Sequence, residues 1–284
     1  MKLKRLAMFF AFLILIPATL VFGESNEKDI EEFLKKGLVD NIGLIRNFYE
    51  GNNLRFDSQG KLISKNSPGI WTVSGFFQPK KVKLSKDSIT LTGKRLYWTY
   101  NRELREQQLI PVSEDTKINI KRSLEQNDVS VMRELMFRIF LLSDESLVEH
   151  VPAYWQNIVR NKFKPVPDAN MENFEKLGKT TEPDALKPIS RPWPECPEII
   201  STIPPEYSEE ARRLRLSGIV SLLGVVDVQG NIKINEVFIP LGAGLEESAI
   251  RTIEKTWKFR PALRDGIPAE TRVVVEVRFL TPKF

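Results

Sequence analysis

Nine prolines fall between Pro165 and Pro205, in PVPDANMENFEKLGKTTEPDALKPISRPWPECPEIISTIPP. Each removes a backbone N–H and fixes φ, so neither a long helix nor a central strand can run through this stretch. The chain must therefore fold on either side of it. With 284 residues in all, two domains are the natural outcome. Residues 161–200 read as a semi-rigid surface spacer. At the polyproline rise, about 40 residues would reach ~120 Å. Met171 to Leu177 could form a short helix within the spacer, and docking of the stretch on the first domain is the alternative. Cys196 falls in the spacer, outside any predicted core.

The first residues form a separate element. Lys2, Lys4 and Arg5 make a basic head, and Leu6 to Gly23 is an 18-residue stretch without a charge. Val21 and Gly23 are small enough to flank a cleavage site, and Pro17 ends a helix just before it. Residues 1–23 thus read as a secretory signal peptide or an N-terminal anchor. Without them the net charge falls from +5 to 5 − 3 = +2. No Lys/Arg run in the rest tracks a phosphate backbone, so nucleic acid is not an expected partner.

Chemistry is bounded by two single residues. Cys196 is the one cysteine and His150 the one histidine. An internal disulfide framework, a Cys cluster for zinc or iron–sulfur, and a His-rich metal site are all excluded. His150 reads as a surface or packing residue. The carboxylates Asp40, Glu50, Asp57 and Asp87 sit at no catalytic spacing and read as solvated turn or surface charges. No Gly-rich phosphate loop, GxSxG or HExxH is present. The expected function is binding, not catalysis. No catalytic, cofactor or metal residue is assigned.

Residues 28–160 read as a β-rich domain with helices. Helical spacing runs through 29–49, with an interruption at Gly37. Turn signals at Asp57-Ser58-Gln59-Gly60 and Pro68-Gly69 separate short strands. Trp71, Val73 and Phe77 suggest a strand broken near Gly75. Lys81–Leu84, Ser88–Thr92, Leu96–Tyr100 and Lys117–Ile120 continue a curved antiparallel sheet of five to seven strands. Helical spacing returns over 130–142. Trp71, Tyr97, Trp98 and Tyr100 either line a groove or pack the core, and packing is the expectation.

Residues 201–284 read as helix–strand–strand–helix–strand. Ser208 is a plausible N-cap for a short helix with acids in its first turn. Ile219–Asp227 and Ile232–Ile239 form a hairpin around Gly230. Leu245 to Trp257 is a helix whose apolar stripe is Leu245, Ala249, Ile253 and Trp257. Glu246, Glu247, Arg251, Glu254 and Lys255 fall on the opposite, solvent-facing side. In the last strand, Thr271 to Phe279, Val273, Val275, Val277 and Phe279 face a core. Arg272, Glu276 and Arg278 face out, with Val274 among them. The fold class is α+β: two helices on a three-stranded antiparallel sheet. The outward charges fit either edge protection or a strand-accepting edge.

This last region resembles the TonB C-terminal domain. The resemblance rests on Pro205-x-Tyr207-x-x-x-Ala211, Gly218-x-Val220, the Gly230 turn, Leu245 and Ala249, Trp257-x-Phe259-x-Pro261-Ala262, Gly266 and the final Val-x-Val strand. Ser208 stands where the family usually has proline after the tyrosine. The resemblance implies a periplasmic or cell-envelope protein in transmembrane transport. It implies that the last strand pairs with an extended TonB-box-like segment of an outer-membrane transporter. Tyr207, Arg272, Val274, Glu276 and Arg278 are then the partner-binding candidates. Homodimerisation through the same edge, as in a self-associating envelope protein, is a further implication. A membrane-anchored energy transducer, coupled to the inner-membrane motor complex, is the alternative. The family's anchor helix carries a Ser and a His, and residues 6–23 hold neither. The first domain more weakly resembles a module of exported acidobacterial-type TonB-like proteins. The matching pieces are Arg46-Asn47-Phe48-Tyr49-x-Gly51, Leu54-x-Phe56-Asp57-x-x-Gly60, Pro68-Gly69-x-Trp71 and Leu91-x-Gly93-x-Arg95. No activity attaches to that module.

Overall fold

A computed structural model describes residues 27–123, 128–141, 147–161 and 194–280. The expected signal or anchor over 1–23, and residues 162–193 of the expected 161–200 spacer, lie outside the described residues. Among the described residues no helix is long and apolar enough to cross a membrane. The chain divides into two compact units. The first takes residues up to Thr99 and Gln108–His150; the second takes Tyr100–Gln107 and residues from Val151 onward. The boundary thus falls ten residues before the expected end of the first domain at 160.

In the first unit, α1 (Glu27–Leu38) buries Ile30, Phe33, Leu34 and Leu38 along one stripe and exposes Lys35 and Lys36. The helix ends at Leu38 and does not continue to 49. Leu38 is followed by Asp40 at φ 62° and then by β1 (Gly43–Ile45). After β2 (Asn53–Phe56), Trp71–Gly75 forms one wide π-helical turn where a strand was expected. The sheet is completed by β3 (Phe76–Leu84), β4 (Ser88–Asn101), β5 (Glu106–Lys121) and β6 (Phe140–Leu141). Its order is β2-β5-β4-β3-β1-β6. It is not wholly antiparallel: β2 and β5 run parallel, with Asn53 opposite Lys117 and Phe56 opposite Ile120.

The second helix of this unit, α2 (Val129–Ile139), starts where Asp128 Oδ1 accepts from the Ser130 N–H at 2.6 Å. It stops three residues short of the expected 142, where the chain enters β6. Both helices join the strands in one core that includes Leu54, Phe77, Ile89, Leu91, Ile118, Met132 and Met136. Trp71 and Trp98 meet in that unit with ring centroids 5.1 Å apart and planes tilted by 42°, and they are buried, as is Tyr97; Tyr100, at the start of the segment assigned to the second unit, is also buried. Packing, not a groove, accounts for these aromatics. Gly93 is required by a close approach: a Cβ there would lie 2.0 Å from the Gln78 carbonyl oxygen. Arg95 is buried and donates to the Ser74, Tyr49 and Gly51 carbonyls, which ties the loop 49–51 to the π-helical turn. Burial lowers its guanidinium to about 10.

The second unit is built on a three-stranded antiparallel sheet in the order β13-β8-β9, from β8 (Gly218–Val226), β9 (Ile232–Ile239) and β13 (Thr271–Phe279). Val220, Leu222 and Val226 of β8 meet Val273, Val275, Val277 and Phe279 of β13 on the inner face, all buried. A Ala153–Trp155 3₁₀ turn leads into α3 (Gln156–Arg160). The short α4 (Glu209–Arg213) is capped by Ser208, whose Oγ accepts from the Ala211 N–H at 3.1 Å. The long α5 (Leu245–Thr256) turns Leu245, Ala249, Ile250 and Ile253 inward. Gly230 sits at φ 80°, and a Cβ there would lie 1.9 Å from the Phe259 oxygen. Only glycine serves both demands.

Four small strand pieces, in two pairs, extend this unit beyond the expected five elements. β7 (Glu198–Ser201) pairs with β10 (Lys258–Arg260), and β11 (Ala262–Arg264) pairs with β12 (Ile267–Ala269). The spacer therefore ends before 198. The Leu263 N–H donates to the Pro194 carbonyl, which draws residues 194–201 onto the unit. Cys196 is buried there at 3% exposure, not held in a surface spacer.

Candidate functional site

The β8–β9 and β8–β13 pairs leave two outer edges, and they are finished differently. β13 pairs with β8 in unbroken register for nine residues, from Thr271 opposite Val226 to Phe279 opposite Gly218. Among the described strands nothing pairs with its other side. Alternate backbone N–H and C=O groups on such a side are open to a further strand. The alternation of valines with charges sets this up. Odd-numbered residues from Val273 to Phe279 anchor the strand in the core, so their even-numbered neighbours stand on the outer face.

That face brings four of the predicted site residues together. Arg272, Glu276 and Arg278 are exposed and Val274 is half-buried. Glu276 is steadied by Ser221, whose Oγ donates to its Oε1 at 3.2 Å. Arg272 and Arg278 are six residues apart, a span of about 20 Å at the strand rise. The fifth residue, Tyr207, stands at the Phe279 end. Its ring meets Phe279 edge-on at 5.3 Å, and its hydroxyl donates to the Leu216 carbonyl at 3.0 Å. Partial burial raises the Tyr207 hydroxyl above its ordinary value. With its hydroxyl committed, Tyr207 offers a ring at the strand end and not a free polar group.

The segment before Tyr207 is pinned by side chains of α5 and its C-terminal end. Ser248 Oγ donates to the Glu206 carbonyl at 2.6 Å, and Trp257 Nε1 donates to the Ile203 carbonyl at 2.9 Å. Trp257 follows the last helical residue and is buried at 7% exposure. It therefore ties the helix end to residues 203–207. Ile199, Ile200 and Ile203 along this stretch are more than half exposed.

The β9 edge is closed by its own surroundings. Its register with β8 shifts twice, between Ser221 and Leu222 and between Leu223 and Gly224. Such bulges spoil an edge for regular pairing. The Ile234 N–H donates to Glu254 Oε1 of α5 at 2.9 Å, and Lys233 pairs with the same carboxylate at 3.0 Å. Ala153–Trp155 and α3 also lie against β9, where the Asn157 amide donates to Glu236 Oε1.

Two acids placed on the solvent side of α5 by their spacing are instead drawn inward. Glu246 is fully buried, and its Oε1 accepts from the Leu241 and Gly242 N–H groups. Glu247 keeps part of its stem exposed, but its Oε1 accepts from Trp155 Nε1 at 2.7 Å and its Oε2 is sealed from solvent. Burial raises both carboxyls, Glu247 to about 7 with the adjacent Glu246 charge as the second cause. The readable signal was the loop before the helix. Gly244 caps it without a side chain, so acids in the first turn can reach back to bare loop donors.

Among the described residues, no group of three or more Asp, Glu, His or Cys residues could hold a metal. His150 Nε2 lies 3.0 Å from Arg46 Nη1, which fits a packing role. Asp40 faces Lys80 in an exposed ion pair, and Asp57 caps its own turn by accepting from Gln59 and Lys61 N–H groups.

Comparison with known proteins bears on this second unit alone. Residues 203–281 match the family described as Gram-negative bacterial TonB protein C-terminal. A curated relative, "Protein TonB" of Vibrio cholerae serotype O1, is 33% identical over 85 residues. That match covers 29% of this chain and 34% of the relative, so the chain spans about a third of the relative's length. A solved structure, "Solution NMR structure of Pseudomonas aeruginosa TonB CTD", aligns at 20% identity with a TM-score of 0.26. It covers 31% of this chain and 89% of that chain. The C-terminal unit is TonB-like, as its Tyr207, Gly230 and Trp257 motifs suggest.

Proposed function

We propose that this chain is a non-enzymatic adaptor of the cell envelope whose C-terminal unit takes up an extended peptide as a strand beside β13. The expected partner is a TonB-box-like segment of an outer-membrane transporter, and the setting is transport across that membrane. One observation carries the reading: of the two outer edges of the sheet, β9 is bulged and covered, whereas β13 is regular and, among the described residues, unpaired. Backbone pairing would supply most of the affinity. Arg272, Val274, Glu276 and Arg278 would read the side chains that fall on the outer face. A matched peptide would place acids near the two arginines and an apolar residue near Val274. The TonB likeness and the sequence of residues 1–23 support a periplasmic location and a transporter partner.

The test is a titration of the isotope-labelled full chain with a synthetic TonB-box peptide, followed by backbone amide NMR. Shifts should concentrate on Thr271–Phe279 and leave Ile232–Ile239 in place. Perturbation centred on β9 would sink the proposal. So would saturation without any change at β13. A concentration-dependent change at β13 without peptide would instead favour self-association through the same edge.

A further inference from the structure

We propose that Ala153–Arg160 is a pH-sensitive latch on the C-terminal unit, held shut while the Glu246–Glu247 pair keeps a proton and loosened when it loses it. The latch is short. Its 3₁₀ turn has three residues and α3 has five, too few to persist without packing. What holds it is specific. Trp155 and Ile158 are fully buried, and Val159 nearly so. Trp155 Nε1 donates to Glu247 at 2.7 Å, and Asn157 bonds Glu236 of β9.

The acid end of this contact is under-satisfied. Glu246 Oε2 and Glu247 Oε2 are both buried with no hydrogen-bond partner among the described residues. Two neighbouring carboxylates cannot both ionise cheaply when buried. The surrounding charges offer limited relief. On α5 itself, Arg251 lies on the favourable side and Glu254 is taken up by Lys233 and the Ile234 N–H. From the latch, Tyr154 faces the same acids, and burial together with their charges raises its hydroxyl above its ordinary value. Arg160 is exposed and turned to Gln156. Glu236 of β9 adds a further acid, and β8 brings no charge. Arg102, Glu103, Arg105 and Glu106, on the hairpin tip whose Tyr100 N–H bonds Leu241, are solvent-exposed. Admitting water by lifting the short latch is the cheapest way to accommodate the second charge.

The direction follows from linkage. Glu247 titrates higher when the latch is docked than when it is exposed, so the docked state holds more protons in between. Docking is then strongest below the ordinary carboxylate range. It weakens by up to about tenfold per pH unit as the pH rises toward 7, and levels off above that.

The experiment uses the full chain with 5-fluorotryptophan at its five tryptophans, the Trp155 resonance being identified by its loss in Trp155→Phe. From about pH 5 to about pH 8.5, Trp155 should move toward its solvent-exposed position up to ~7 and then stop, while Trp257 stays still. Glu247→Gln keeps a carbonyl acceptor and loses the titration, so Trp155 should stay docked throughout. Amide exchange of 153–160 in the unaltered chain, corrected for intrinsic rate, should follow the same profile. A stationary Trp155 would overturn the latch. So would a shift shared with Trp257, or one that persists in Glu247→Gln.

Discussion

β9 and β13 flank the same central strand and rest on the same core, yet they present opposite faces to a would-be partner. β9 carries two register shifts, has an outward N–H answered by Glu254, and lies under the residues from Ala153 to Arg160. β13 carries nine paired residues in register and no cover among the described residues. Edge strands are a general aggregation hazard, and natural sheets suppress them with bulges, charges and caps. Here the heavier devices are spent on one side alone. The other side carries only the outward charges Arg272, Glu276 and Arg278. On the proposed reading, the difference teaches that strand-accepting capacity is localised by protecting the alternative edge as much as by shaping the chosen one.

The comparison breaks most completely if the shared core is removed. Trp257→Ala empties a buried site and frees the Ile203 carbonyl, which ties the strands to the segment before Tyr207. A loss of ~3–5 kcal/mol is expected. Calorimetry should show the transition of the C-terminal unit lowered or lost, with both edges going together. An unshifted transition would mean that Trp257 is not part of a common foundation. A smaller and one-sided effect is expected from Glu254→Ala. It strips the acceptor from the Ile234 N–H and unpairs Lys233, at a cost of about 1–3 kcal/mol for an unsatisfied donor. It also uncovers part of β9. Sedimentation should then reveal more self-association than in the parent chain. A variant that is less stable yet strictly as monomeric or dimeric as the parent would show that Glu254 stabilises β9 without guarding it.

Legibility in the sequence followed the same division. The β8–β9 hairpin, α5 and β13 could be read because their apolar residues keep clean periods of two and four, with Gly230 at a turn that admits no side chain. The outward set Arg272, Val274, Glu276 and Arg278 came from the same alternation. Period failed where a contact came from distant sequence. Glu246 and Glu247 sit at polar-face positions of α5, and only the loop at 241–242 and Trp155 draw them in. Cys196 sits between prolines, which speak for a spacer, yet Pro194 and β7 carry it onto the unit. In the first unit, Trp71–Gly75 has strand composition but turns as a π-helix, with Ser74 offering its carbonyl to Arg95. The parallel pairing of β2 with β5 joins residues some 60 positions apart in sequence, and no local pattern encodes that direction. The packed aromatics were legible by size alone, because burying them dominates a small β core.

The smallest expected effect is the most selective for the open edge. Arg272 is exposed, and Val273 beside it supplies the buried anchor, so Arg272→Glu should leave stability within about 0.5 kcal/mol. Reversing its charge changes what the outer face offers to an acidic peptide residue. A single exposed charge contact is worth ~0.2–1 kcal/mol, so affinity for the synthetic peptide should fall about 1.4- to fivefold. That loss should be greatest at low salt and fade near physiological ionic strength, where screening acts within ~8 Å. Arg278→Glu, at the Tyr207 end, should behave alike, whereas Lys233→Glu on β9 should not alter peptide binding at all. Fluorescence anisotropy at two salt concentrations separates these cases. If Arg272→Glu binds as tightly as the parent at low salt, the charges on β13 guard that edge as the bulges guard β9. The two edges would then differ in method and not in purpose.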